Sequence, residues 1–318
     1  MRPSSYQNEM KSTNVGTLQL AQTWHKYGSC REGTIPIYRK GKVYNPTILR
    51  KNHHPKFSPY KTLNISEPKD IREGHEYLVI ELSGNFLGAQ AKINLWKPIV
   101  ETPSEISVSQ IWVSAGEEEV KNTIEAGWIV SQKVYGDDKT RFFIYWTTDG
   151  YKSSGCYNLL CDGFVHTSSD VSPGCSFSEV STLNGSQKDA HFNIHRVRKY
   201  KSSSNPVGYY PNILLTQLSR AAKFVQFGGE ISNTKSKGQY TSTQMGSGHF
   251  PSEGGLKTSS YFNWVQVIDE NNKIRDAKDA GTVVTNPNCY DLKITKDHYD
   301  TNGYGFYYGG PGYNDKCR

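Results

Sequence analysis

The sequence has few of the residues that build helical bundles or membrane spans. Only 3 of its 318 residues are Met, and hydrophobic residues make up 35% of the chain. Because it has no run of about 18 apolar residues, a membrane-spanning helix is excluded. Leu and Ala are few against Tyr, Thr, Ser and Gly, which disfavours a helical bundle and favours short strands joined by tight turns.

Aromatic residues are plentiful and occur in short alternating runs. They make up 12% of the chain, which is unlike a disordered protein. From about residue 76, runs of Val, Ile, Tyr, Phe and Trp recur between turn residues, which is typical of an antiparallel sandwich or barrel. The clearest predicted strands are Tyr77–Leu82, Gln90–Trp96, Gln110–Val113, Gly127–Val130, Arg141–Thr147, Val225–Ile231, Tyr261–Ile268 and Gly305–Tyr308.

Two stretches have helical spacing instead. Leu18, Ala21 and Trp24 predict a short helix that stops at Gly28, and residues 46–75 have the composition of a linker. A second helix is predicted from Pro211 through a set of apolar residues at helical spacing. That set is Leu214, Leu215, Leu218 and Ala222.

The six cysteines do not form a zinc-binding pattern. Cys156 and Cys161 are a C-x4-C pair without a second close pair, so a disulfide-closed loop is the better hypothesis. Cys289 and Cys317 flank the last stretch and could join it to the domain. The partners of the two others, Cys30 and Cys175, stay open, and a Cys30–Cys175 bridge is one possibility.

Glycosylation sequons at Asn64 and Asn184 point, with the cysteines, to the secretory route. No apolar signal peptide is visible at the start, so we expect a secreted protein whose true start is missing from this chain. A cytosolic protein with free thiols is the alternative.

Strand alternation places two glutamates on faces that do not belong to the core. In 122–130, Ile124, Ala126, Trp128 and Val130 share one face, and Glu125 lies on the other beside a glycine. The strand around Gly-Gly-Glu places three residues on its non-core face. The strand Arg141–Thr147 places two further candidate binding residues on one of its faces. The predicted cleft residues are Gln226, Gly228, Glu230, Tyr145 and Thr147.

Glycines 127 and 228, beside the two glutamates, are expected to leave room for the backbone of a ligand. Two carboxyls that face one cleft at about 4–6 Å cannot both ionise easily, so they can hold an acid and a base together. Two ordinary exposed strand glutamates are the alternative.

The chain resembles the plant neprosin family of glutamic prolyl endopeptidases. Matching motifs run in consistent order from near residue 17 to the C-terminus. They are Cys30–Ile37, Ser109–Val113, Asn122–Trp128, Tyr135–Asp137, Tyr145–Tyr151, Gly155–Val165, Gly228–Glu230, Thr243–Phe250, Cys289–Asp291 and Tyr307–Gly312.

This resemblance implies a secreted zymogen without metal or organic cofactor. Residues 1–45 would be a truncated activation-peptide region, 46–75 a linker and 76–318 an all-β catalytic sandwich of jelly-roll or concanavalin-like type. The family's catalytic pair maps onto Glu125 and Glu230. They would activate a water for cleavage after proline at acidic pH.

The resemblance also implies two disulfides and a set of partners. The disulfides would be Cys156–Cys161 and Cys289–Cys317. The partners would be a protein or peptide substrate and the chain's own activation segment as an intramolecular inhibitor. Neither a nucleic acid nor a membrane is expected as a partner, and a monomer is expected.

The sequence departs from the family pattern at two places that bear on substrate preference. Phe227 stands where the family usually has Trp, and His191–Tyr200 replaces an expected Trp-rich segment. If those tryptophans shape the cleft, the preference for proline is altered.

Other hypotheses remain open from the sequence. A carbohydrate-active protein could use a carboxylate pair and aromatic stacking, and a non-catalytic secreted plant cell-wall protein could keep the fold alone. His191 and His195 lack an acidic third ligand, so no metal site is predicted. The net charge of +7 and the basic run at 195–201 are attributed to a solvated surface.

Overall fold

The computed structural model describes residues 22–37, 74–196, 206–234, 239–295 and 302–318. Within these ranges the chain is almost entirely β-structure. The strands are β1 (His75–Asn94), β2 (Ser107–Ala115), β3 (Asn122–Val130), β4 (Arg141–Thr147), β5 (Cys156–Tyr157), β6 (Val165–His166), β7 (Asp189–His195), β8 (Gly208–Tyr209), β9 (Ala222–Ser232), β10 (Met245–Gly246), β11 (Ser260–Asp269), β12 (Ile274–Asp276), β13 (Gly281–Val284), β14 (Asp291–Thr295) and β15 (Gly305–Gly310).

The strands form two antiparallel layers that share β1. The first half of this 20-residue strand pairs with β9 and β13, and its second half pairs with β7 and β11. The first layer continues from β9 through β2, β3 and β4 to β5. The second layer continues from β11 to β15, on which β10 and β14 pair.

A single large core fills the space between the layers. The first layer contributes Ile111, Trp128 and Phe227, and the second contributes Phe262 and Phe306. These side chains come from alternate positions of their strands, because successive side chains point to opposite faces. The predicted antiparallel sandwich is therefore confirmed, and all eight predicted strand regions contain β-structure. Two of them, Tyr77–Leu82 and Gln90–Trp96, are parts of the single strand β1, which ends at Asn94.

The predicted helix at 211–222 is wrong. Residues 211–220 form consecutive turns, and β9 already begins at Ala222. The leucines of this stretch pack against Trp146 and the Cys156 side chain. The Gln217 N–H donates to Asn122 Oδ1. This tertiary hydrogen bond takes the place of the backbone hydrogen bond that Gln217 would make in a helix.

Helical structure is sparse in the described ranges. Helix α1 (Gln132–Tyr135) follows β3, and 3₁₀ turns occupy Thr23–Tyr27 and Glu118–Val120. The first turn ends at Gly28, as the spacing predicts, whereas Leu18 and Ala21 lie outside the described residues. No helix among the described residues is long and apolar enough to span a membrane.

Both expected disulfides are present. Cys156 bonds to Cys161 beside β5, and Cys289 bonds to Cys317 near the C-terminus. Cys30 and Cys175 are free thiols, so the bridge considered between them is not formed.

Candidate functional site

The two glutamates lie on the same face of the same layer. In β3, Ala126, Trp128 and Val130 point into the inter-layer core, and Glu125 points away from it. In β9, Phe227 points into the core and Glu230 away from it. We call this outer surface the glutamate face; its central members are Tyr77, Glu81, Gln110, Trp112, Glu125, Tyr145, Gln226, Gly228 and Glu230. The predicted assignment of faces is thus confirmed.

The two glutamates lie on opposite neighbours of β2, and their partners on β2 are four residues apart along that strand. Glu125 lies opposite Trp112 on β2, and Glu230 lies opposite Val108 on the other side of β2. On a flat sheet this places their Cα atoms about 16 Å apart. Carboxyls that lean toward each other close only part of this separation. The register therefore favours two carboxyls on either side of a gap over the directly shared proton expected from sequence.

Glu230 is fully buried and held by three polar side chains. Its Oε1 accepts hydrogen bonds from the Tyr77 hydroxyl at 3.1 Å and lies 2.9 Å from His75 Nδ1. Its Oε2 lies 3.4 Å from Gln110 Nε2. When His75 is protonated, the imidazolium and the carboxylate form an ion pair in which the glutamate is shielded from water.

Glu125 is also fully buried, and one of its hydrogen-bond partners comes from a loop. The Tyr151 hydroxyl donates a 2.7 Å hydrogen bond to Glu125 Oε1. The Tyr151 ring stacks on the Tyr145 ring, with centroids 6.0 Å apart. Tyr151 has a φ of 68°, a left-handed conformation that is costly for a residue with a bulky side chain.

The loop between β4 and β5 fixes Tyr151 in that conformation. Asp149 accepts hydrogen bonds from the backbone and the hydroxyl groups of Ser153 and Ser154. These hydrogen bonds outweigh the effect of burial and lower the pKa of Asp149 well below its ordinary value. Thr147 Oγ1 donates to Asp149 and accepts from the Tyr151 N–H. The loop is therefore cross-linked from its base to its tip.

A pocket opens on the glutamate face beside Glu125. It is lined by Tyr77, Val79, Trp112, Ser114, Lys121, Thr123, Tyr151 and Gln226. Burial lowers the pKa of Lys121, against the attraction of Glu81 and Glu125. Burial likewise raises the pKa of Glu81, against its hydrogen bond from Gln226 and the charge of Lys121. The pocket thus combines aromatic walls with the desolvated cation of Lys121, and the Glu81 carboxyl is bonded to its lining residue Gln226.

The tyrosines around the glutamates stay protonated and act as donors. Burial raises the pKa of Tyr151 well above its ordinary value, and the charge of Glu125 adds to the shift. Burial also raises the pKa of Tyr157, and the charges of Glu125 and Glu230 raise it further. One buried phenol is therefore within electrostatic reach of both carboxyls.

Gly127 and Gly228 have a structural role in strand packing, and the room that they were expected to leave for a ligand stays a prediction. A Cβ at Gly228 would lie 2.0 Å from the Leu78 carbonyl oxygen on β1. A Cβ at Gly127 would lie 2.0 Å from the Ser109 carbonyl oxygen on β2. Both glycines are required by the close approach of neighbouring strands.

The other predicted binding residues have distinct surroundings. Gln226 lines the pocket and donates from Nε2 to Glu81 Oε2 at 2.6 Å. Tyr145 is buried between the rings of Tyr151 and Tyr157. Thr147 is buried and bonded within its loop, so in this structure its hydroxyl serves the loop. Their roles toward a substrate stay predictions.

The two sequence departures lie away from the glutamate face. Phe227 is fully buried in the inter-layer core, so a Trp at this position would act on the core and only indirectly on the cleft. The replaced segment is described up to residue 196, and most of that part belongs to β7 (Asp189–His195), an edge strand of the second layer. Neither position supports a direct effect on substrate preference through the described contacts.

Of the two predicted glycosylation sites, one lies among the described residues. Asn184 is exposed in a turn, where a glycan is sterically accessible, and Asn64 lies outside the described residues. In the described ranges, His, Cys, Asp and Glu side chains form no cluster of three or more that could hold a metal.

Four polar partners of the glutamates were missed in the sequence, namely His75, Tyr77, Gln110 and Tyr151. Tyr77 shares the alternation of its strand with Glu81, which was a usable signal. His75 lies at the very start of that strand, and Tyr151 lies in a loop without periodicity. Their contacts span 155 and 26 residues of sequence, so only the folded chain reveals them.

The neprosin family model matches residues 103–311, a range that contains both glutamates. Among solved structures, the chain is similar to a crystal structure of scytalido-glutamic peptidase with a peptide-based transition-state analogue, at 10% identity and a TM-score of 0.33. That match covers 76% of this chain and 98% of the other.

Proposed function

Since the chain belongs to the neprosin family, we propose that it is a glutamic-type endopeptidase with Glu125 and Glu230 as its catalytic pair. The observation that carries this proposal is the placement of both glutamates. They are fully buried on one face of one layer, and a single phenol senses both charges. Burying a carboxyl costs free energy even when it is hydrogen-bonded, and buried carboxyls cluster at functional sites.

The surroundings of the two carboxyls suit different tasks. Glu230 has three donor groups within reach, which favour its ionised form, so it is the general base that takes a proton from water. Glu125 is hydrogen-bonded to Tyr151, which lines the pocket, and is the acid that protonates the leaving amine. The Tyr151 hydroxyl stabilises the carboxylate that remains after this proton transfer. The water adds its oxygen to the peptide carbonyl carbon, its proton passes to Glu230, and the C–N bond breaks as the amine nitrogen gains a proton from Glu125.

Isosteric amides test the pair. Glu125→Gln and Glu230→Gln are each expected to lower kcat at least about 1000-fold, since an amide is neither a general acid nor a base at these pH values. Glu105→Gln is the matched control: Glu105 is as fully buried but is bonded by Thr234 and Thr243 away from the glutamate face. Peptidase activity at acid pH and thermal unfolding are measured for all three. Wild-type turnover in either site variant would overturn the assignment.

We further propose that cleavage follows proline at acidic pH. Aromatic side chains bind the rigid proline ring well, and Tyr77, Trp112 and Tyr151 place three aromatic side chains together on the glutamate face. Peptides that differ only by Pro or Ala before the scissile bond test this preference. The proposal predicts a larger kcat/KM for the Pro peptide, and equal values would overturn it.

The N-terminal segment is proposed to inhibit the enzyme until it is cleaved. The Gln22 side chain is buried in the catalytic domain, where Nε2 donates to the Ser172 carbonyl and Oε1 accepts from the Ser172 N–H. Thr23 adds a backbone hydrogen bond to Ser176. A specific protease site inserted within residues 46–73 is expected to raise activity on cleavage. Activity that is the same before and after cleavage would contradict inhibition.

The two disulfides and the exposed Asn184 support secretion and glycosylation. Intact-mass measurement of secreted protein before and after deglycosylation tests the glycan. Unchanged mass would remove Asn64 and Asn184 as glycan sites.

A further inference from the structure

Gln110 occupies the middle of the glutamate face, between the two glutamates. It lies on β2 two residues from Val108, which is opposite Glu230, and two residues from Trp112, which is opposite Glu125. Its own partners across the sheet are Gly228 on β9 and Gly127 on β3. Gln110 is fully buried.

The flanking glycines make Gln110 the central side chain of its row. Neither Gly228 nor Gly127 has a side chain to place beside it. A Cβ on Gly127 would lie 2.7 Å from the Gln110 Cβ, so any larger residue would displace this glutamine. The Gly–Gln–Gly row therefore leaves a gap between the carboxyls into which one amide projects.

The two ends of the Gln110 amide are in unequal surroundings. Nε2 lies 3.4 Å from Glu230 Oε2. Oε1 is buried and has no hydrogen-bond partner among the described residues. A buried carbonyl oxygen without a donor is unfavourable, so it is retained where a ligand supplies the donor.

We propose that Gln110 is a third residue of the site, which positions Glu230 and accepts a hydrogen bond from the attacking water at Oε1. This inference rests on the proposed peptidase function. One O–H of the water donates to Gln110, and the other gives its proton to Glu230 as the oxygen adds to the peptide carbonyl carbon. Gln110 forms no covalent bond and gains no proton, so its contribution is to orientation.

Two substitutions separate this role from packing. Gln110→Met keeps the length of the side chain and removes both polar atoms, and it is expected to lower kcat about 10- to 100-fold with KM within about 2-fold. Gln110→Glu keeps the acceptor but donates only when protonated. Its pH profile of kcat is therefore expected to move to lower pH relative to the wild type.

Gln90→Met is the matched control. Gln90 is another buried strand glutamine, but it bonds to Gln266 and Asn193 in the second layer. It is expected to keep the wild-type kcat in the folded enzyme. Thermal unfolding is followed for each variant, and kinetics are measured well below the unfolding temperature.

Three outcomes would overturn the role of Gln110. They are a wild-type kcat in Gln110→Met, a change in KM alone, and an unshifted pH profile in Gln110→Glu. Each differs from failure of the proposed function, in which Glu125→Gln and Glu230→Gln remain active. Inactive glutamate variants with a fully active Gln110→Met would keep the peptidase assignment and remove only the third residue.

Discussion

The two faces of the first layer are built from the same strands and have opposite character. On β9, Phe227 is buried among apolar side chains of both layers, and its neighbour Gln226 lines a polar pocket. On β3, Trp128 and Glu125 show the same contrast. Because alternate residues serve different faces, stability and chemistry can change independently along one strand.

The glutamate face is nevertheless well buried. Glu125 and Glu230 are as inaccessible as Trp128, and they depend on donors from β1, β2 and the β4–β5 loop. Hydrogen bonds take the place that apolar contacts have in the core. The difference between the faces is therefore one of chemistry more than of exposure.

The largest effect on stability is expected from the inner face. Phe227→Ala removes a fully buried ring from the core and should lower the free energy of unfolding by about 3–5 kcal/mol. Gln226→Ala, at the next position on the same strand, should cost less than about 1 kcal/mol and change KM. Urea unfolding and steady-state kinetics measure both. Equal destabilisation by the two substitutions would break the contrast between the faces.

Alternation alone predicts much of this arrangement. The sandwich, the strand regions and the faces of Glu125 and Glu230 follow from the period-two pattern, since burial selects apolar residues at every second position. The pattern could not predict the turns at residues 211–220. Their leucines have helical spacing, but contacts with Trp146 and Asn122 decide the local structure.

Two features of the site also lay beyond sequence reasoning. The purpose of Gly127 and Gly228 depends on which backbone lies against them, and only pairing with β1 and β2 shows this. Tyr151 reaches Glu125 from a loop whose conformation is set by many hydrogen bonds to Asp149. Tertiary contacts of this kind have no periodicity.

The β4–β5 loop provides the next test of the glutamate face. Asp149→Asn should lower the free energy of unfolding by about 2 kcal/mol at neutral pH, because hydrogen bonds to a charged acceptor are lost. The pKa of Asp149 is depressed in the folded state, so its contribution is complete above the ordinary pKa and is lost as pH falls through the lowered value.

The loop is thus expected to remain held in acid. Unfolding of wild type and Asp149→Asn, followed from pH 7 to pH 3, should show a difference that persists over most of this range. Asp279→Asn, at an exposed position, is the control and should change little. A difference that vanishes already near pH 5 would contradict the depressed pKa.

A smaller effect is expected when only the Tyr151 hydroxyl is removed. Tyr151→Phe keeps the ring that stacks on Tyr145 and removes the donor to Glu125 Oε1. Because that donor favours the ionised carboxylate, kcat/KM should fall about 10-fold and its pH profile should move to higher pH.

Tyr290→Phe is its matched control, since the Tyr290 hydroxyl donates to the Thr243 carbonyl away from the glutamate face. It should reduce stability by about 1 kcal/mol without changing the pH profile. Matching profiles for the two phenylalanine variants would show that the Tyr151 hydroxyl has no special relation to Glu125.

The smallest effect concerns a carboxyl on the opposite side of β1 from Tyr77. Burial raises the pKa of Glu76, although Thr285, Tyr240 and the charge of His75 oppose the shift. Its folded-state pKa lies above the unfolded value, so its stabilising effect is full at low pH and is lost as pH rises through the folded pKa. Glu76→Gln should therefore raise the free energy of unfolding by about 0.5–1 kcal/mol at pH 7 and have little effect near pH 3.

Urea unfolding at the two pH values measures this effect on stability. The kcat of Glu76→Gln should stay unchanged, because Glu76 lies off the glutamate face. A loss of activity in Glu76→Gln would show that side chains on both sides of β1 contribute to the site near its first residues.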